Sequence, residues 1–255
     1  MAPSGYLVHD RPLLIAIVGA VMISSETAGL VSVVIPIHDQ ASYIGEALAG
    51  VYAQDAHRLE VIVVDDGSSD GSLALAQAGF PAIRAIRQDN AGIGAARNRG
   101  VEVACGEYLA FLDADDRWPA GRLLQLVTAL AALKTPAMAF GHVRHFLCPN
   151  LDSETRQRLH CPAGTAPGYF AGAMLVRLED FRRVGPFEED LRVGEFAGWL
   201  GRARDHGLAE AMIEDVVLER RVHVANHTLR QRDFFGDYAQ MLKRTIDRRR
   251  SKTES

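Results

Sequence analysis

The sequence predicts an α/β protein with an open, mostly parallel β-sheet and helices on both faces. Short β-branched runs alternate with stretches of helical periodicity between residues 31 and 133. The first run, Val31 to Ile37, reads as a buried strand covered on both sides, and acids cluster just past the carboxyl ends of the first, second and fourth runs. That alternation is the pattern of a βαβ sheet, and such sheets bind ligands beyond their strand ends.

The elements follow in order. "VSVVIPI" (Val31 to Ile37) is a strand ended by its proline, and "SYIGEALAGVYAQ" places Tyr43, Ile44, Ala47, Leu48 and Val51 at helical spacing. "LEVIVVDDGSSDGS" is a second strand, Leu59 to Val64, running into acids and turn residues; "SLALAQAG" is a short helix ended by Gly79. "AIRAIRQ" is a third strand, and "GIGAARNRGVEVACG" is a helix for which Gly106 is the natural stop. "YLAFLDADD" is a fourth strand ending in three carboxylates, followed by the helix "GRLLQLVTALAAL".

At 255 residues the chain can bury a sizeable core, and its net charge of −4 gives no reason to expect nucleic acid as a partner. Cys105, Cys148 and Cys161 are isolated, which fits neither a disulfide framework nor a CxxC zinc site and suits a reducing, cytoplasmic setting. Residues 1–29 form an extension whose apolar run, Leu13 to Ile23, is too short to span a bilayer. Two readings of it stand: a signal peptide with a basic flank, or a segment upstream of a true start at Met22. The main domain is expected over 30–228, with a basic tail over 229–255.

Chemistry concentrates in a few stretches. "LDADD" sets acids at i and i+2 beyond a buried strand, where they can converge on a hard divalent cation or simply cap the next helix. "VVDDGSSDGS" is either a turn with an N-cap or a loop whose acid meets a base or ribose. "NAGIGAARNRG" carries Arg97 on a helix whose glycine-rich start suits a diphosphate. No P-loop and no well-placed GxGxxG are present.

Taken in order, "VSVVIPIHDQASYIGEALAGVYAQ", "EVIVVDDGSSDGS", "NAGIGAARNRG", "YLAFLDADDRW", "AGAMLVRLEDFRRVGPFEEDL" and "ERRVH" resemble the family 2 glycosyltransferases of GT-A fold, over roughly residues 31 to 228. The resemblance implies a GT-A, Rossmann-like sheet and a metal-dependent, inverting transfer from a nucleotide sugar, a UDP-sugar first, to a glycan, lipid or peptide. It implies that Pro36, Asp39, Asp66, Arg97 and Asp113 line the donor. Asp113 and Asp115 match the DxD pair for Mn²⁺ or Mg²⁺, with His223 reaching the metal or diphosphate. Asp116 faces the sugar, and Arg221 neutralises the leaving diphosphate. His38 and Asp39 depart from the family's aromatic and Asn at the first strand end.

The larger departure lies in "LRVGEFAGWLGRA". The family's "ED" pair, whose Asp is the general base, falls here on Glu195 and Phe196, and Gly198 lacks a further acid common in relatives. Three readings stand: Glu195 is the base; the base lies elsewhere, at Asp116 or Asp180; or Glu195 only caps a helix, in an enzyme with a readily ionised acceptor such as a thiol or in an impaired relative that binds nucleotide sugars or a partner. A nucleotidyltransferase is disfavoured by the absence of a glycine-rich, lysine-bearing entry loop.

His142 to Met174 reads as a loop-rich acceptor region, and the spacing of His142, His145, Cys148, His160 and Cys161 fits no standard zinc pattern. From Arg230 the tail reads as a basic amphipathic helix. Its stripe Phe235, Tyr238, Leu242 and Ile246 packs on the domain or makes peripheral contact with the inner membrane face.

Overall fold

The computed structural model describes residues 29–54, 58–133, 135–224 and 235–253. The apolar run of the N-terminal extension lies outside the described residues.

The predicted strands form as β1 (Leu30–Ile37), β2 (Arg58–Asp66), β3 (Arg84–Gln88) and β4 (Tyr108–Phe111), parallel in the order β3-β2-β1-β4. Strand periodicity then divides the core into two layers. Val33, Ile35, Val61 and Val63 face α1 (Ile44–Tyr52), α2 (Ser72–Gly79) and α4 (Arg122–Ala131). Val34, Ile62 and Val64 face α3 (Ile93–Val103), α6 (Leu178–Val184) and α7 (Glu195–Asp205). Both faces are therefore covered, as the apolar residues on both sides of β1 and β2 require.

The rest of the sheet is mixed. β5 (Ala137–Leu147) lies between β8 (Ala209–Val222), parallel to it, and β6 (Thr165–Pro167) and β7 (Met174–Arg177), both antiparallel; β7 joins β4, also antiparallel. The short helix α5 (Ser153–Arg158) caps its N-terminus through Asp152. Because β7 reverses direction once, the carboxyl ends of β1, β2, β4, β5 and β8 share one edge.

Two expectations are corrected. His142–Leu147 is strand, because a register shift near His142 lets it continue pairing with β8 through Leu147 and Val222. Helix α3 stops at Val103, where Ala104 is extended, rather than at Gly106. Gly106 is needed for close approach: its N–H donates to Ser32 Oγ, and a Cβ there would lie 2.7 Å from the Ser32 nitrogen.

α7 is fixed by aromatic packing. Trp199 is fully buried, stacks on Phe181 at 4.8 Å and donates its indole N–H to the Gly185 carbonyl. The tail helix α8 (Phe235–Thr253) docks beside the start of α7 mainly by polar contacts. Asp190 pairs with Arg244, and Asp237 accepts from the Arg192 backbone N–H. The expected packing stripe is only partly used, since Leu242 and Ile246 are about half exposed.

Gly100 on α3 lies against β1, and a Cβ there would meet Val34 Cγ1 at 2.3 Å, whereas Gly79 meets nothing within 4 Å. Gly100→Ala is expected to lower stability by about 1–3 kcal/mol through overpacking. Gly79→Ala is expected to lose nothing, both read by thermal or denaturant unfolding.

Candidate functional site

At the shared strand edge, the end of β8 is laced onto the loop after β4. Arg117 and Glu219 exchange both backbone hydrogen bonds, at 3.1 and 3.0 Å. Two residues on, the Arg221 backbone N–H donates to Asp116 Oδ1 at 2.8 Å, and its side-chain Nε–H donates to the Asp115 carbonyl at 2.8 Å. The Arg221 guanidinium also pairs with Glu46 on α1. His223 then meets Asp115 directly, its Nε2 3.0 Å from Oδ2, with its ring against Tyr43 at 4.9 Å.

Asp116 is 3% exposed, bonded to β8 and 3.5 Å from Arg220. Burial, then the neighbouring Asp115 charge, pushes its carboxyl well above the usual carboxylate range, with Arg220 opposing. The structure thus places Asp116 behind the loop, as a link to β8, rather than on its open face.

Arg97 is the second centre. Its glycine-led helix α3 buries it to 3% exposure, where Nη1 donates to Glu195 Oε1 at 2.5 Å and Nη2 to Asp113 Oδ1 at 2.6 Å. Burial alone weakens the Arg97 charge, and Asp113 and Glu195 together more than reverse that effect. Glu195 is the first residue of α7, preceded by Gly194 at φ 87°, and no side chain caps this helix. Glu195 therefore combines a place in the first turn of α7 with an ion pair to Arg97. Phe196 points the other way, into the core, edge-on to Phe140 at 6.4 Å. Asn98, the next residue on α3, holds the segment before α7 by bonding both the N–H and the carbonyl of Phe187.

The other end of the site is built from β1 and β2. Pro36 is buried within β1, opposite Val64. Asp39 takes a left-handed conformation, φ 51°, and accepts from the Ser69 backbone N–H at 2.7 Å. Asp66 accepts from Gln88 Nε2 and the Ala91 N–H through Oδ1, and from the Gly92 N–H through Oδ2, all at 2.8–2.9 Å. It thereby ties the loop ahead of α3 to the end of β2.

The structure brings Asp113, Asp115, Arg97, Glu195, Arg221 and His223 to one edge. Asp180 is not among them. It lies at the opposite end of the sheet, bonded to the Ala137 N–H and paired with Arg183, where it lines a cavity of about 450 Å³ with Arg177 and Glu179. One contributor went unnamed in the sequence, Glu46, which holds Arg221; His38, the departure at the first strand end, donates its Nδ1–H to the Asp66 carbonyl at 2.8 Å. The signal for Glu46 was an acid flanking the buried stripe of α1.

Among the described residues no three His, Cys, Asp or Glu side chains converge into a ready metal cage. Mg²⁺-type sites on phosphates need only one or two protein carboxylates, the remaining oxygens coming from phosphate and water. Asp115 offers the carboxylate oxygen that such an ion takes, and the His223 imidazole in contact with it is a nitrogen donor of the kind first-row transition ions accept.

Comparison with known proteins gives the family. The family model described as Glycosyl transferase family 2 matches residues 32–186. The uncharacterized glycosyltransferase YibD of Escherichia coli is 41% identical over 88 residues, covering 33% of this chain and 26% of YibD. Glycosyltransferase AglE of Haloferax volcanii is 30% identical over 206 residues, covering 76% of this chain and 67% of AglE. Among solved structures, TarS of S. aureus superposes with a TM-score of 0.62 at 19% identity, over 75% of this chain and 36% of that one. The mannosyltransferase PcManGT of Pyrobaculum calidifontis gives 0.61 at 23% identity, over 85% and 64%. The chain thus spans well under half the length of several relatives it matches. By the family model and by the extent of its likeness to AglE, the chain belongs to glycosyl transferase family 2.

Proposed function

We propose that residues 30–228 transfer a sugar from a nucleotide-diphosphate sugar, a UDP-sugar first, to a glycan, lipid or peptide acceptor with inversion. The observation that carries this is the meeting of Asp115 with His223 at the strand edge, beside the Asp113–Arg97–Glu195 bridge. Support comes from TarS, solved with UDP and with UDP-GlcNAc, and from PcManGT, solved with GDP-Man and Mn²⁺.

Asp115 and His223 are the residues that would hold Mn²⁺ or Mg²⁺. Such an ion supplies electrostatic stabilisation of the charge that develops on a departing nucleoside diphosphate. Asp113 is oriented by Arg97, and Arg221 keeps the acid loop in place through the Asp115 carbonyl. In this arrangement Arg221 works on the loop, since its guanidinium is turned to Glu46 and the Asp115 backbone. Asp39 and Asp66 shape the nucleotide end, with Pro36 setting the end of β1.

Glu195 acts through Arg97. Its carboxylate is engaged by the buried Arg97 guanidinium in a charge-assisted bond, which aligns Arg97 and, through it, Asp113. With Phe196 in the core, transfer then suits an acceptor that ionises readily, of which a thiol is the simplest. The same observation favours a second reading, a relative that binds nucleotide sugars but turns them over poorly.

Glu195→Gln is expected to weaken donor binding and turnover together, because Arg97 and Asp113 lose their alignment. A fall in kcat of orders of magnitude with donor affinity intact would instead make Glu195 the base, and normal turnover would remove it from the mechanism. Measuring donor affinity by calorimetry beside kcat separates these outcomes.

With Mn²⁺ present, the true donor should raise the melting temperature by mass action, by about 2.7 kcal/mol of stability at one hundred times Kd. UDP-sugars and GDP-sugars are the first to compare. Asp115→Asn and His223→Ala are expected to abolish the Mn²⁺-dependent part of that shift. Hydrolysis of a donor without acceptor would favour the transferase over the binding relative.

A further inference from the structure

The contacts of α8 settle which of its faces meets the domain. Asp237, Gln240 and Arg244, at i, i+3 and i+7, bind the segment ahead of α7: Asp237 accepts from Arg192, while Gln240 and Arg244 donate to Asp190. The Tyr238 ring covers Gly194, the residue before Glu195. Helical geometry then turns Leu242 and Ile246 away from the domain, where they are 55% and 50% exposed. Lys243 and Arg250, also exposed, flank that apolar pair.

The charge is equally one-sided. Phe235–Thr253 holds six Lys and Arg against two Asp, in a chain whose net charge is −4, so the rest of the molecule is acidic. An apolar ridge with cationic flanks is the arrangement that lies in the plane of an anionic lipid surface, apolar residues entering the acyl boundary and cations staying with the headgroups. A soluble protein partner would need an acidic groove shaped to the ridge; a second copy would bring the cationic flanks Lys243 and Arg250 against like charge. No helix among the described residues is long and apolar enough to cross a membrane.

We propose that the outward face of α8, centred on Leu242 and Ile246 with Lys243 and Arg250, is a docking surface for an anionic lipid bilayer. Docking there brings the candidate site to the lipid surface, because α8 is seated on the segment that leads into Glu195. The acidic remainder of the chain is repelled by the same surface, which fixes a single orientation.

The test is co-sedimentation of the full chain with vesicles, without nucleotide, so that it is independent of the proposed transfer. Vesicles of phosphatidylcholine alone are compared with vesicles containing phosphatidylglycerol. Binding is expected to the anionic vesicles only, and to weaken in about 1 M NaCl, where the Debye length falls to about 3 Å. Leu242→Asp with Ile246→Asp should reduce partitioning at least about tenfold, and Lys243→Glu with Arg250→Glu should do so independently. Because all four side chains point to solvent, both double variants should melt with the wild type; if one does not, the other decides. Equal binding to both vesicle types, or unchanged binding by both variants, would overturn the proposal. So would a wild type that ignores vesicles but forms a dimer that the aspartate variant dissolves.

Discussion

One buried guanidinium organises the functional edge of this protein. Arg97 is removed from water on α3 and takes a carboxylate from each of two distant segments, Asp113 after β4 and Glu195 at the head of α7. A desolvated charge requires such partners, and removing one from a buried pair costs about 3–5 kcal/mol. The requirement works in both directions. It draws α7 against α3, and it sets Asp113 at a fixed distance from the head of α7. Asn98 reinforces the same junction through the Phe187 backbone.

Asp115 is governed by a different element. β8 reaches the loop through Arg117–Glu219, Arg221 and His223, and Glu46 on α1 completes the tie. The loop is thus held from α3 on one side and from β8 on the other, with Asp116 serving as a buried fastening between them. This arrangement depends on the single reversal at β7, which allows β5 and β8 to end at the same edge as β1, β2 and β4. Support on both sides leaves the loop's carboxylates few alternative positions.

Much of the parallel half of the sheet was legible from periodicity. Val31–Ile37, Leu59–Val64 and the helices between them could hardly adopt other structures, because their apolar residues recur at the periods of strand and helix. The acids beyond β2 and β4 were legible for the same reason, as polar residues ending apolar runs. The mixed half was harder. "HVRHFL" carries as many polar as apolar residues, and only pairing with β8 after a register shift makes it a strand. Gly106 shows the limit in miniature: a glycine after a helix reads as its stop, yet here it admits Ser32.

The sequence by itself determined the fold family, the edge at which a ligand would sit, and the absence of the usual aspartate at Phe196. Those follow from local periodicity and from motif order, which survive without any knowledge of contacts. Only the tertiary structure decided what Glu195, Arg221 and Asp116 touch. Ion pairing is set by which side chains the fold brings within a few ångströms across separations of about a hundred residues, and no spacing in the chain encodes that. The docked and outward faces of α8 were decided in the same way, because an amphipathic stripe states that a face is apolar but not what lies against it.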